Sequence, residues 1–182
     1  MARLARAVRF ARHQSGVAAI EMALIFPVML VLFVGMIDLT SLLSDNRRVS
    51  YSAGVVADVV TRLQASTTPA EVGDALEAAE IVMNAARARP ARIEVHNYRL
   101  DSGNAVLRWS HDNGVGPNCT HTSPAPSLMS QDNDVIVAVV CVEHTPIIGQ
   151  LLNYDIGTNP FTLREQIAMR PRQSLTLLCP LC

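Results

Sequence analysis

The sequence predicts an α+β fold, with a long N-terminal apolar helix, a second helix, and then an antiparallel sheet of about four strands. Three observations carry this expectation. Residues 17–37 form one apolar run holding a single charge, Glu21. Beyond it, to about residue 88, apolar residues recur at three- and four-residue steps, the period of a helix. From Ala91 the period falls to two, and turn residues separate the runs.

The apolar run, as a helix at ~1.5 Å per residue, is roughly 30 Å long, about one hydrocarbon core. Arg3, Arg6, Arg9 and Arg12 precede it and no acid does. Basic flanks stay cytoplasmic, so the expected orientation is a single inner-membrane span with the N-terminus inside and everything after Ile37 outside. A conventional signal peptide fits less well. Its apolar part is shorter, and Asp38 to Leu43 offers no small-residue cleavage site. An uncleaved signal anchor is the plainer alternative.

Past the membrane the helix is expected to continue through Leu39, Leu42, Val49, Val56 and Val60 to Leu63. Thr67-Thr68-Pro69 breaks it and starts a second helix, with Pro69 in the first turn, where its missing N–H costs nothing. That helix runs over Ala70–Ala88 and ends at Pro90. Ile93–Leu100 alternates apolar and polar residues. Asp101-Ser102-Gly103-Asn104 is a turn, and Ala105–Trp109 returns as the second arm of a hairpin. Asn113–Asp134, rich in Gly, Pro, Ser and Asn, reads as one long surface loop. Val135–Val142 is a continuous apolar run, β-branched at six of its eight positions, and suits a central strand. Gln166–Met169 and Leu175–Leu178 are candidate late strands. The expected division is a basic leader at 1–16, a membrane helix at 17–37, a helical stalk and second helix at 38–90, and a β-rich head at 91–182.

All 15 basic residues are arginine. Without the first 16 residues, 11 arginines face 16 acids, a formal charge of −5. That balance argues against a nucleic-acid partner, which needs a basic surface. No catalytic motif, phosphate-binding loop or dinucleotide fingerprint is present, so neither an enzyme nor a cofactor is expected.

The four cysteines, Cys119, Cys141, Cys179 and Cys182, follow an export-type segment and suit an oxidising compartment, although three pairings are open to them. A Cys119–Cys141 disulfide would tie the long loop to the central strand. Cys119-x-His121 with Cys141-x-x-His144 matches zinc spacing poorly, and no metal site is expected. Cys179-Pro180-Leu181-Cys182 has no following helix to lower a thiol pKa, so a local or crossed disulfide is expected rather than a thiol oxidoreductase. His96, His111 and His144, on or beside strands, read as packed or exposed side chains. Asn118-Cys119-Thr120 reads as an accidental glycosylation pattern.

Ser15 to Glu21, S-G-V-A-A-I-E, distinguishes this chain from a plain anchor. Glu21 is the fifth residue after Gly16. A carboxylate costs ~2.5–3.5 kcal/mol at mid-bilayer and less near the surface, where it can also snorkel. Cutting between Gly16 and Val17 would create an ammonium on Val17 that a neighbouring subunit's Glu21 neutralises. Glycine at the cut suits a protease that grips extended backbone. The pattern resembles the type IVb prepilin signal, and Arg9 to Leu30, with Pro27 inside the run and Gly35 and Asp38 at its end, resembles the TadE/TadF family of tight-adherence (Flp-type) pilus proteins. Ile167 to Arg172, I-A-M-R-P-R, is a weaker likeness.

The resemblance implies a pilin-like minor pilin or pseudopilin, a cut at Gly16–Val17 by a prepilin peptidase, and processing and assembly through Glu21. Its partners would be the inner membrane, other pilin subunits and the tight-adherence secretion platform. Met22, where major pilins of this type carry tyrosine, and the chain's length both favour a minor subunit. The structural alternative is an uncleaved bitopic component of the same machinery.

Overall fold

The computed structural model describes residues 15–84, 90–147 and 161–182. The arginine leader and the expected end of the second helix, at 85–88, lie outside the described residues. The order of elements is α1 (Ser15–Val60), α2 (Pro69–Asn84), β1 (Ala91–Asp101), β2 (Asn104–Asp112), β3 (Asp134–His144) and β4 (Phe161–Met169). The strands form one antiparallel sheet in the order β2-β1-β3-β4. This is the predicted α+β, pilin-like layout.

The chain divides into two compact units. One takes the N-terminal part up to Ser41 with Pro146 and Ile147. The other is Leu42–Thr145 with Asn159–Cys182. Within the first, the Ile147 amide donates to Asp38 Oδ1 at 2.8 Å. Asp38, the residue that closes the apolar run, is buried there.

In the second unit the helices cover one face of the sheet. Val49, Ala53, Val56, Ala57 and Val60 of α1 recur at three- and four-residue steps and are almost fully buried. Val72, Ala75, Leu76, Ala79 and Met83 do the same for α2. They meet Ile93 and Val95 of β1 and Ile136, Ala138, Val140 and Val142 of β3, the alternate residues that a pleated strand turns to one side. α2 starts with reciprocal capping. The Thr68 amide donates to Glu71 Oε2 at 2.8 Å and the Glu71 amide donates to Thr68 Oγ1 at 3.4 Å. The Thr68 amide first, and then the Thr67 and Thr68 hydroxyls that donate to the same Oε2 (2.9 and 3.2 Å), hold the Glu71 carboxyl below its ordinary value.

The β1–β2 hairpin turns through Ser102 and Gly103, both at positive φ (50° and 84°). Two such residues give the turn whose twist matches that of the strands, and glycine makes the second one free of strain. A bulge leaves Arg108 as the extra residue between the pairs Asn97↔Trp109 and Tyr98↔Leu107.

The other sheet face, with Tyr98, Val135, Val137, Val139 and Cys141, is covered by the 113–133 loop. The disulfide Cys119–Cys141, Cα–Cα 5.9 Å, fixes the loop to β3. Arg164 Nη1 donates to Thr120 O (2.6 Å), and Gln166 exchanges two bonds with the Thr122 backbone (2.9 and 2.6 Å). Gly116, at φ +84°, lets the loop cross the start of β1. An added Cβ there would lie 2.5 Å from the Arg92 backbone nitrogen.

The expected strand at Leu175–Leu178 is instead a segment with one isolated parallel bridge, Ser66↔Leu178. Side chains of the sheet take its polar backbone groups in place of a ladder. The Leu177 amide donates to Asp134 Oδ2 (2.8 Å), while Leu177 O accepts from Asn97 Nδ2 (2.7 Å) and Trp109 Nε1 (2.9 Å). Asp134 is wholly buried and also accepts from Asn97 Nδ2 (3.0 Å) and Arg99 Nε (2.6 Å). Asp134→Ala therefore strands a guanidinium and two N–H donors. It is expected to cost about 3–5 kcal/mol in chemical unfolding of the detergent-extracted chain, followed by fluorescence of Trp109, the sole tryptophan. Asp132→Ala, at an exposed site, should change stability by less than about 0.5 kcal/mol.

Candidate functional site

Two places gather chemistry: the first turns of α1 and the loop-covered face of the sheet. Gly16, Val17 and Glu21 all lie at the start of α1 and are exposed. An added Cβ at Gly16 meets nothing within 4 Å, and its φ is ordinary. Packing among the described residues therefore gives no reason for glycine at this position. Among the described residues no hydrogen bond or ion pair reaches Glu21. The apolar residues that follow are equally unclothed. Ile20, Leu24, Phe33 and Met36 are each about two-thirds exposed or more, and none of the most apolar stretch of α1 is buried. α1 continues through Pro27, which removes the amide that would bond to Ala23 O. In length and composition α1 suffices to cross a membrane.

A family model of TadE-like protein matches residues 16–58. This N-terminal segment is similar to the TadE-like family. The match starts at Gly16 and ends two residues before α1 does, so the TadE-like segment is essentially α1 itself. No curated protein and no solved structure matches the chain. The likeness is confined to this helix and leaves the sheet to be read from its own geometry.

On the sheet, Glu94 and His96 are alternate residues of β1 and share the loop-covered face. His96 Nε2 lies 3.1 Å from Glu94 Oε2. His121 arrives from the loop and stacks on His96, ring centroids 3.8 Å apart, with its Nδ1 4.0 Å from the same Oε2. Arg92 Nε donates to the other oxygen, Glu94 Oε1, at 3.0 Å. Burial and the neighbouring His121 push the His96 imidazole below its ordinary value, against the opposing pull of Glu94 and Asp112. Burial pushes the Tyr98 phenol up.

The cysteines and histidines weighed together in the sequence do not meet as a group. Cys119 pairs with Cys141 and Cys179 with Cys182. His144 is buried, with Nδ1 2.8 Å from Asp45 Oδ2 and its ring 5.2 Å from Phe161. The cluster that does form, Glu94, His96 and His121, has only a faint signature. The E-x-H spacing in a strand puts two of its members on one face, but nothing in the sequence brings the loop histidine to them.

The Cys119–Cys141 bond closes a sequence separation of 22 residues, for which loop-closure entropy gives roughly 3 kcal/mol. The double substitution Cys119→Ser, Cys141→Ser is expected to lose about that much in chemical unfolding. Proteolysis between residues 113 and 133 should accelerate with it.

Proposed function

We propose that the protein is a minor pilin or pseudopilin of a tight-adherence, type IVb pilus, cut after Gly16 by a prepilin peptidase. The observation that carries this reading is the TadE-like match beginning at Gly16 and coinciding with α1. Three features of the helix support it. Among the described residues glycine at position 16 has no steric cause, so its cause is sought in an outside partner that reads backbone there. Glu21 lies one turn inside an apolar helix, where a charge without a partner is unfavourable. The exposed apolar surface around it requires lipid or other helices as cover.

In this reading the leader stays cytoplasmic, α1 spans the inner membrane once, and the sheet unit is periplasmic. Cleavage frees the Val17 ammonium. During assembly the α1 helices of neighbouring subunits replace lipid, and the Glu21 carboxylate of one subunit pairs with the Val17 ammonium of the next. The pairing offsets the cost of carrying both charges into an apolar contact. The role is structural, with the peptidase, other pilin subunits and the secretion platform as partners.

Intact mass and N-terminal sequencing of the membrane-extracted chain, with and without the peptidase, test the proposal. A peptidase-dependent N-terminus at Val17 is the expected result. An N-terminus at Met1 or Ala2 in both strains would replace the proposal with an uncleaved bitopic component of the machinery. Glu21→Ala should still insert, but its recovery in sheared pili should drop at least about tenfold, because an unpaired ammonium in an apolar contact costs several kcal/mol.

A further inference from the structure

We propose that Glu94, His96 and His121 bind one divalent transition-metal ion of the zinc class, which fastens the 113–133 loop to the sheet. The ligand atoms these residues offer all lie within 4.8 Å of one another. Tetrahedral zinc, with bonds of ~2.0–2.2 Å, sets its ligands about 3.3 Å apart. The Glu94–His96 separation of 3.1 Å is already of that size, and the 4.0 Å to His121 closes with a small movement of the loop.

Hydrogen bonding serves this cluster poorly. Glu94 Oε2 holds His96 Nε2 at 3.1 Å, but His121 Nδ1, at 4.0 Å, lies beyond hydrogen-bond distance of it. A cation engages all three together. His96 also keeps a buried Nδ1 with no hydrogen-bond partner, so its bond to Glu94 leaves the ring half satisfied.

The donor set has the right chemistry. Two imidazoles and a carboxylate suit zinc and its neighbours rather than calcium or magnesium, which prefer all-oxygen shells. Arg92 holds Glu94 through Oε1 and leaves Oε2 turned to the histidines, an outer contact of the kind that orients metal ligands. Glu94 and His96 sit on the rigid centre of β1, whereas His121 is exposed on the loop two residues after the Cys119 disulfide. The fourth position therefore opens toward solvent, where water completes the shell. The site is independent of the membrane reading, because every ligand lies in the sheet unit.

The test uses the full-length, untagged, detergent-extracted chain, stripped with a chelator under non-reducing conditions so that both disulfides persist. Titration with zinc ions is expected to show one equivalent per chain and a rise in the thermal midpoint. Cobalt ions in the same site should give visible absorption of a four-coordinate nitrogen–oxygen shell. His121→Ala, at an exposed loop position, should fold normally by Trp109 fluorescence yet bind at least about tenfold more weakly. Glu94→Gln should do the same. The proposal is overturned if the stripped wild-type chain takes up no stoichiometric zinc at micromolar concentration. Binding that persists unchanged in both variants would overturn it equally.

Discussion

The buried carboxylate of Asp134 is the interaction on which the sheet unit depends. It opens the central strand, and it is reached from three directions, by Asn97 and Arg99 of β1 and by the amide of Leu177. A charge with no exposure is tolerable only when its lone pairs are filled. The geometry that fills them also closes the fold. Leu177 is held against the sheet, and its neighbours then bond to the link between the helices. The Leu178 amide donates to Ala65 O and Leu178 O accepts from the Thr67 amide. One polar centre thereby joins the sheet, the C-terminal segment and the link between α1 and α2.

The two faces of the sheet are held by different means. On the helix face the cover is apolar surface removed from water, with Leu76, Ile93, Ile136 and Leu177 fully buried. On the other face the cover is a loop with few apolar residues, too poor in them to stay by burial alone. Its attachments are covalent and polar: the Cys119–Cys141 bridge, the bonds from Arg164 and Gln166, and the stacking of His121 on His96. A metal ion among Glu94, His96 and His121 would add one more fastening of this discrete kind.

The TadE-like segment obeys a different constraint. Through Ile37 the helix α1 keeps apolar residues on all sides, and from Leu42 it narrows to a single buried stripe. One continuous helix thus passes from a surface that the chain leaves bare to one that the chain covers itself. That change in patterning fits the proposed function, in which the first part packs into lipid or among other subunits and the second part folds alone.

Local patterning made much of this legible from the residues alone. The apolar run with Glu21, the Pro69 helix start, the Ser102-Gly103 hairpin and the β-branched central strand each follow from nearest-neighbour backbone and side-chain preferences. The prepilin-like spacing of Gly16 and Glu21 is equally local. Contacts between distant positions were decided by the tertiary structure. Leu175–Leu178 has the composition of a strand, yet Asp134, Asn97 and Trp109 capture its backbone before any ladder forms. The three possible cysteine pairings were resolved by which residues the sheet register and the loop path bring within reach. His121 joins Glu94 and His96 only because the loop crosses the start of β1 at Gly116 and is tied to β3 by the Cys119–Cys141 disulfide. Sequence fixes the period and punctuation of each element, because those depend on a few neighbouring residues. Which polar groups end up buried together depends on the path of the whole chain, and that path exists only once the fold has closed.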